Sequence, residues 1–464
     1  MKKCNILLFI FAIFIFTSCS NKTNEKIKFP FEEEIVDINY DNNLKLSTLS
    51  NDENKIYDNY NDLAKAIDLN LFNSISDNKT KYFYKLSDGL INDLKTNPIQ
   101  FLKDAVQIAP MAHNFLYSYD NSRIDENMIG IDCHYTDDYA SKSYYKDNVN
   151  EVINYEFYMN SLNYDNYKKL NLSDLPIYKK NNGYLKVANS EQLFYALLND
   201  YIPYCDKDSI SYEILAKSLD ILSKITNEDN DELANYKAIY QYVLQTTIYD
   251  DETFNNKEYQ NKTNKSFFLE GSFIDGYAVC DGLVKKIIVL SKLMGIEIYH
   301  IGAVNNNLGH AYLYVKINGN YYLSCPTYAQ NNMYISDDKF QKYFNSLFML
   351  TDADTESPLW SFDSKQEENI KELIASPFDY FKETKIDNDN LMINDINELF
   401  KLLENTKKLS TKLNNTIEVE VLLNDSVVNE LNELIDDVYP ELIKINCGKF
   451  NNDNVYVFIF GVEK

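Results

Sequence analysis

The dipeptide Asn318-Gly319, set between two runs rich in β-branched and aromatic residues, constrains this chain more than any other feature. Asn-Gly favours a two-residue hairpin turn, because both central residues of that turn need a positive φ. Such a turn fixes the pairing: Ile317 opposes Asn320, and the register follows outward from there. On that register His310 faces Thr327 directly and Cys325 diagonally, on the same side of the ribbon. Diagonal neighbours lie roughly 7–8 Å apart, within reach of a long side chain. Position 325 is therefore expected beside the His310 imidazole, where a third group could orient the ring.

Upstream of the hairpin, Gly276-Tyr277-Ala278-Val279-Cys280-Asp281-Gly282 leads into an apolar run closed by Met294-Gly295. The pattern predicts a helix over 281–294 with Gly295 as its C-cap, Gly276 permitting a tight approach before it. Cys280 then stands at a helix N-terminus, facing unsatisfied N–H groups and the positive end of the macrodipole. That setting lowers a thiol pKa and aims a donor at an oxyanion. The plainer reading of Cys280 is a small buried hydrophobe. A strand is expected from Ile296 to Val304, with His300 inside it. A turn at Asn305-Asn306-Asn307 precedes a second strand opened by His310, and a third runs from Tyr321 to Cys325.

Composition narrows the function. The 464 residues carry 45 Lys and Arg against 70 Asp and Glu, a formal charge of −25, which argues against a nucleic-acid partner. Arg123 is the only arginine, while Asn, Lys, Ile and Tyr abound; an AT-rich genome accounts for that bias, so the 38 tyrosines are not read as a stacking surface. The seven cysteines show no CxxC and no regular spacing, which does not suit a disulfide framework.

The chain opens Met1-Lys2-Lys3, and Ile6 to Phe16 is apolar but too short to span a bilayer, which takes roughly 20 residues. Phe16-Thr17-Ser18-Cys19 follows, then polar residues. This resembles a bacterial lipobox, with Phe16 where leucine is usual, and implies a signal peptide over 1–19 and lipidation of Cys19. Residues 20–50 are polar and read as a tether.

Residues 51–185 read as an N-terminal α+β region. Tyr57 to Phe72 and Leu86 to Ala109 have helical spacing, and Met128 to Cys133 and Val152 to Tyr158 are strand-like. His113 and His134 sit in no catalytic pattern. Ser190 is placed as the cap of a helix bearing Leu193 and Leu197, followed by helices over Tyr212 to Ile225 and after Asp229 to Glu232. Beyond the core at 186–335, residues 336–390 read as a helical extension. Asp387 to Glu398 spaces its acids partly like a calcium loop but lacks the central glycine and has Leu391 at a ligand place, so it reads as a helix approach. Residues 391–464 read as a small helix–strand–helix–strand domain, with strands at Thr416 to Leu423 and Val455 to Phe460. Asp425 or Ser426 is expected to cap the helix between them.

Taken together, Gly276 to Gly282, Met294-Gly295-Ile296, Gly309-His310-Ala311-Tyr312 and Pro326-Thr327 resemble the transglutaminase-like superfamily, the papain-related fold with a Cys-His-Asp triad. The likeness extends upstream through Asn189 to Phe194, Ala238-Ile239-Tyr240 and Ile248-Tyr249-Asp250, and downstream to Phe348 to Asp352, about a third of the chain. It implies an α+β fold with a transglutaminase-like (papain-like) core, Cys280 as nucleophile and His310 as base. The family's aspartate is replaced by Cys325, a weak hydrogen-bond partner without charge. Asp275 and Asp281 are the other acids near enough in sequence to substitute. The implied function is a cell-envelope cysteine hydrolase or acyl-transferase acting on peptide or amide bonds through a Cys280 thioester. The alternative is a surface lipoprotein that keeps the fold as a non-catalytic binding or structural module. A Cys280–Cys325 disulfide or a Cys-His-Cys metal site are further uses of the same residues. The expected partners are a membrane, through the lipid, and an envelope protein or peptide. No cofactor and no metal are expected.

Overall fold

A computed structural model describes residues 36–40, 44–52, 54–77, 81–112, 117–133, 139–143, 168–227, 231–258, 260, 263–305, 308–327, 392–413, 417–438, 442–450 and 455–462. The leader with Cys19, His113, His134, Val152 to Tyr158 and the stretch 336–390 with Trp360 lie outside them. Within them the fold mixes helices and sheets as an α+β protein does.

In chain order the first elements are β1 (Ile56–Tyr57), α1 (Tyr60–Asp77), β2 (Lys81–Leu86), α2 (Asp88–Thr96), α3 (Pro98–Ile108), β3 (Tyr117–Asp120) and β4 (Met128–Cys133). The strands form one sheet in the order β1-β2-β4-β3. The helical run after Leu86 is split in two because Pro98 has no N–H to continue α2. Asn97 closes α2 and accepts from Gln100 N at 3.2 Å to cap α3.

Next come α4 (Pro176–Lys179), β5 (Tyr184–Val187), α5 (Ser190–Leu198), β6 (Ile202–Cys205), α6 (Ile210–Ile225), α7 (Glu232–Thr246), β7 (Ile248–Tyr249) and α8 (Asp251–Asn255). A π-turn (Glu270–Asp275), β8 (Tyr277–Ala278), α9 (Cys280–Leu293), β9 (Glu297–Asn305), β10 (Leu308–Ile317) and β11 (Asn320–Ser324) follow. Asn189, not Ser190, caps α5: its Oδ1 accepts from Gln192 N at 2.9 Å, which frees the Ser190 hydroxyl for a buried carboxylate. α9 packs on α5, α7, β9 and β10 and is buried along almost its whole length.

The three-stranded sheet β11-β10-β9 keeps the register set by the turn. Ile317 pairs with Asn320 and Leu313 with Ser324, and Asn318 and Gly319 take φ of 50° and 87°. Pairing ends there, and Cys325 is the first residue past the strand. His310 is the third residue of β10 rather than the residue before it, opposite Ala303 of β9.

One apolar cluster runs from Val36 to Cys325, so the residues before and after position 185 share a core. The stretch read as a tether is docked from Val36 on. Val36 and Ile38 are buried, Ile38 N donates to the Tyr212 hydroxyl at 2.9 Å, and Ser47 N donates to Tyr184 O at 2.7 Å. Apolar residues spaced among polar ones hid that attachment.

The C-terminal residues form β12 (Met392–Ile393), α10 (Ile396–Leu413), β13 (Ile417–Asn424), α11 (Asp425–Val438), β14 (Leu442–Phe450) and β15 (Val455–Val462), with strand order β12-β13-β15-β14. Asn424 caps α11, accepting from Val427 N at 3.0 Å, in place of the expected Asp425 or Ser426. Strands β12 and β14 are added to the expected pattern.

Candidate active site

Cys280 starts α9 after Val279, whose extended backbone donates its N–H to Ser266 O at 3.0 Å. Gly282 lies so close to the same turn that a Cβ there would press on the Ser266 carbonyl. Gly271 of the π-turn is likewise closed in, by the Lys265 and Tyr277 carbonyls. Gly276 serves differently from the expectation: space around it is open, and its φ of 76° is what excludes other residues. These glycines seat the helix N-terminus between the 264–267 turn and β8.

Three backbone N–H groups, those of Ala311, Asp281 and Cys280 itself, favour the Cys280 thiolate. The Ala311 contact brings the thiol to the residue next to His310. The helix terminus does not make this thiol acidic, as its position had suggested. Burial foremost, and then the Asp281 carboxylate, push its pKa up to about 12, against the lowering by the three N–H groups. Desolvation outweighs the helix end here because the sulfur is enclosed although the residue is part-exposed.

His310 Nε2 lies 3.2 Å from Cys325 Sγ, the contact expected from the hairpin register. Cys325 is fully buried. The His310 ring is enclosed as well, even though the residue reaches the surface, and burial pushes its pKa down to about 3. At neutral pH the pair is thus a neutral thiol and a neutral imidazole, with the Cys325 sulfur beside the ring. Tyr312, fully buried two residues on, stacks on the His310 ring with centroids 6.1 Å apart.

Neither candidate acid reaches His310. Asp275 is held by Lys265 at 3.4 Å and by Ser143. Asp281 turns the other way, into a buried charge network. Its Oδ1 lies 2.6 Å from His300 Nε2 and its Oδ2 3.0 Å from Lys285 Nζ. Lys285 Nζ in turn donates to both oxygens of Glu191, at 2.9 and 3.1 Å, and stands over the rings of Phe194 and Phe268. The Ser190 hydroxyl donates to Glu270 at 2.7 Å, and Tyr139 joins both. Glu191, read from sequence as part of a scaffold helix, is pushed up to about 7, chiefly by burial. The signal that could have found this group is Lys285 itself, a charge inside a helix that Leu283, Val284, Ile287 and Ile288 make apolar on most sides.

Cys205, Cys280 and Cys325 are free thiols, so the expected alternative of a Cys280–Cys325 bridge is not formed. Among the described residues no group of three or more His, Cys, Asp or Glu side chains is arranged to hold a metal ion. No described helix is long and apolar enough to cross a membrane. Compared with known proteins, the chain matches no family model and no curated relative.

Proposed function

We propose that this is a lipid-anchored cell-envelope protein of the transglutaminase-like type, with Cys280 and His310 as an acyl-transfer pair acting on peptide or amide bonds. The observation that carries the reading is the contact that braces His310, its Nε2 3.2 Å from Cys325 Sγ; His310 stands one residue before Ala311, whose N–H favours the Cys280 thiolate. The neutral resting state implies general-base attack rather than a preformed thiolate. The sulfur bonds to the carbonyl carbon as His310 takes its proton, and the backbone N–H groups at the start of α9 offer donors for the oxyanion. His310 then returns the proton to the leaving amine, and water or a second amine opens the thioester.

Cys325 limits this chemistry. An aspartate would accept a hydrogen bond from Nε2–H and stabilise the imidazolium, whereas a thiol can donate or accept and carries no charge. The same fact favours a second reading, a surface module that retains the fold without turnover. Alkylation of the full chain with iodoacetamide separates the two. Labelling at Cys280 that slows markedly in His310→Ala supports the pair; labelling unchanged by His310→Ala leaves only the binding module. Incorporation of a fatty-acid analogue that persists in Cys19→Ala would remove the anchor.

A further inference from the structure

The charged groups behind Cys280 carry an inference that rests on the acyl-transfer reading and concerns the same thiol. Asp281 follows Cys280 in the first turn of α9, and separate side chains hold its two oxygens: His300 of β9 at 2.6 Å and Lys285, one turn further along α9, at 3.0 Å. Glu191 of α5 holds Lys285 from the far side. Asp281, Lys285, Glu191 and His300 are all buried. A carboxylate gripped at both oxygens neither swings away from the neighbouring sulfur nor exchanges its partners for water. Its charge is a fixed part of the thiol's surroundings.

We propose that the chain Glu191–Lys285–Asp281–His300 is a positioning device for the nucleophile, fixing the Asp281 carboxylate one residue from Cys280 in the first turn of α9 so that its charge acts on the thiol that His310 must deprotonate. The balance of charge around Lys285 fits this role. The carboxyls of Glu191, Asp281, Glu270 and Asp68 all act on that ammonium, the last two from the π-turn and α1, with the Tyr139 phenol beside Glu270. Lys285 is shared between Asp281 and Glu191, so its ammonium is not spent on Asp281 alone. The role differs from a purely structural one because charge, not shape, is what it supplies to Cys280.

The test measures the ionisation of Cys280 in the full chain from the pH dependence of its alkylation by iodoacetamide, located by peptide mapping, and needs no turnover. The wild-type thiol should ionise well above the ordinary cysteine value of about 8.5. Asp281→Asn should lower the apparent pKa by about one unit or more, raising the rate near pH 8 by about tenfold. Asp281→Glu, which keeps the charge, should restore most of the wild-type behaviour, and Glu191→Gln should shift it as Asp281→Asn does but by less. A wild-type thiol titrating at or below the ordinary value overturns the proposal, as does a folded Asp281→Asn variant with an unchanged profile. Failure of both Asp281→Asn and Glu191→Gln to fold would assign the network to stability alone and overturn it too. The functional reading has its own arm: dependence on His310 without an Asp281 effect sinks the positioning role only, and the reverse sinks the acyl-transfer reading only.

Discussion

At the residue scale the deciding position is Cys325. It touches the imidazole at 3.2 Å from a fully buried place, so geometry is present and charge is missing. Loss of the orienting acid in a Ser-His-Asp triad lowers turnover by roughly 10⁴-fold. Restoring it with Cys325→Asp should raise the His310 pKa, since a carboxylate at this distance favours the imidazolium, and should speed Cys280 alkylation at neutral pH by about tenfold or more. The pH dependence of labelling and the NMR titration of His310 check this together. No change in either would mean that the new carboxylate is itself protonated and the site is not a lapsed triad. The contact at 325 was legible in the sequence, because an Asn-Gly turn leaves one register and the diagonal follows from it. The thiol's acidity was not legible. A helix N-terminus can be read from a string of residues, whereas the enclosure that pushes the pKa up exists only once the helix is packed.

At the element scale α9 does two jobs, carrying the nucleophile on its first turn and the buried ion-pair partners Asp281 and Lys285 along its side. Its seat depends on Gly282, where a methyl group would meet the Ser266 carbonyl, a backbone atom tied by Val279 N at 3.0 Å. Gly282→Ala should therefore shift the N-terminus of α9 and cost about 1–3 kcal/mol, the range for overpacking, visible as a lower denaturant midpoint. An unchanged midpoint with unchanged Cys280 labelling would show that the 264–267 turn gives way freely. The existence and bounds of α9 followed from its apolar run and Gly295. Its charge network did not, because Glu191 and Lys285 are 94 positions apart and neither local stretch names the other as its partner. The caps at Asn189 and Asn424 were missed by one residue for a related reason: a neighbouring Ser or Asp can cap equally well, and only the hydrogen bond decides.

At the scale of the whole molecule, one core from Val36 to Cys325 ties the buried acids to global stability. Glu191 has a folded pKa of about 7 against 4.5 for the free group. Between those values the folded chain holds a proton that the unfolded chain has released. Its contribution is complete below about pH 4.5, is lost as pH rises toward 7, and changes no further above that. Burial raises Glu270 and Asp68 in the same direction. His310 acts oppositely: its depressed pKa of about 3 makes stability fall as pH drops below 6.5. Thermal melts should thus show wild type losing stability from pH 5 to 7.5 more steeply than Glu191→Gln. Parallel curves would mean that Glu191 stays ionised against Lys285 throughout. A broad apolar core was legible from composition and periodicity. Its reach back to Val36 was not, because that segment has no periodicity and is held by scattered contacts such as Tyr212 to Ile38.

The neutral state of Cys280 and His310 has a consequence for isotopes. When a thiolate is already formed, no proton moves as sulfur attacks, and replacing water by deuterium oxide hardly alters the rate of that step. Here the hydrogen is still on sulfur in the resting protein, so it is in flight while the new bond forms. Acylation or alkylation of Cys280 should accordingly run slower in deuterium oxide, and the same experiment on Cys325→Asp should lose much of that difference as the pair moves toward a thiolate and imidazolium.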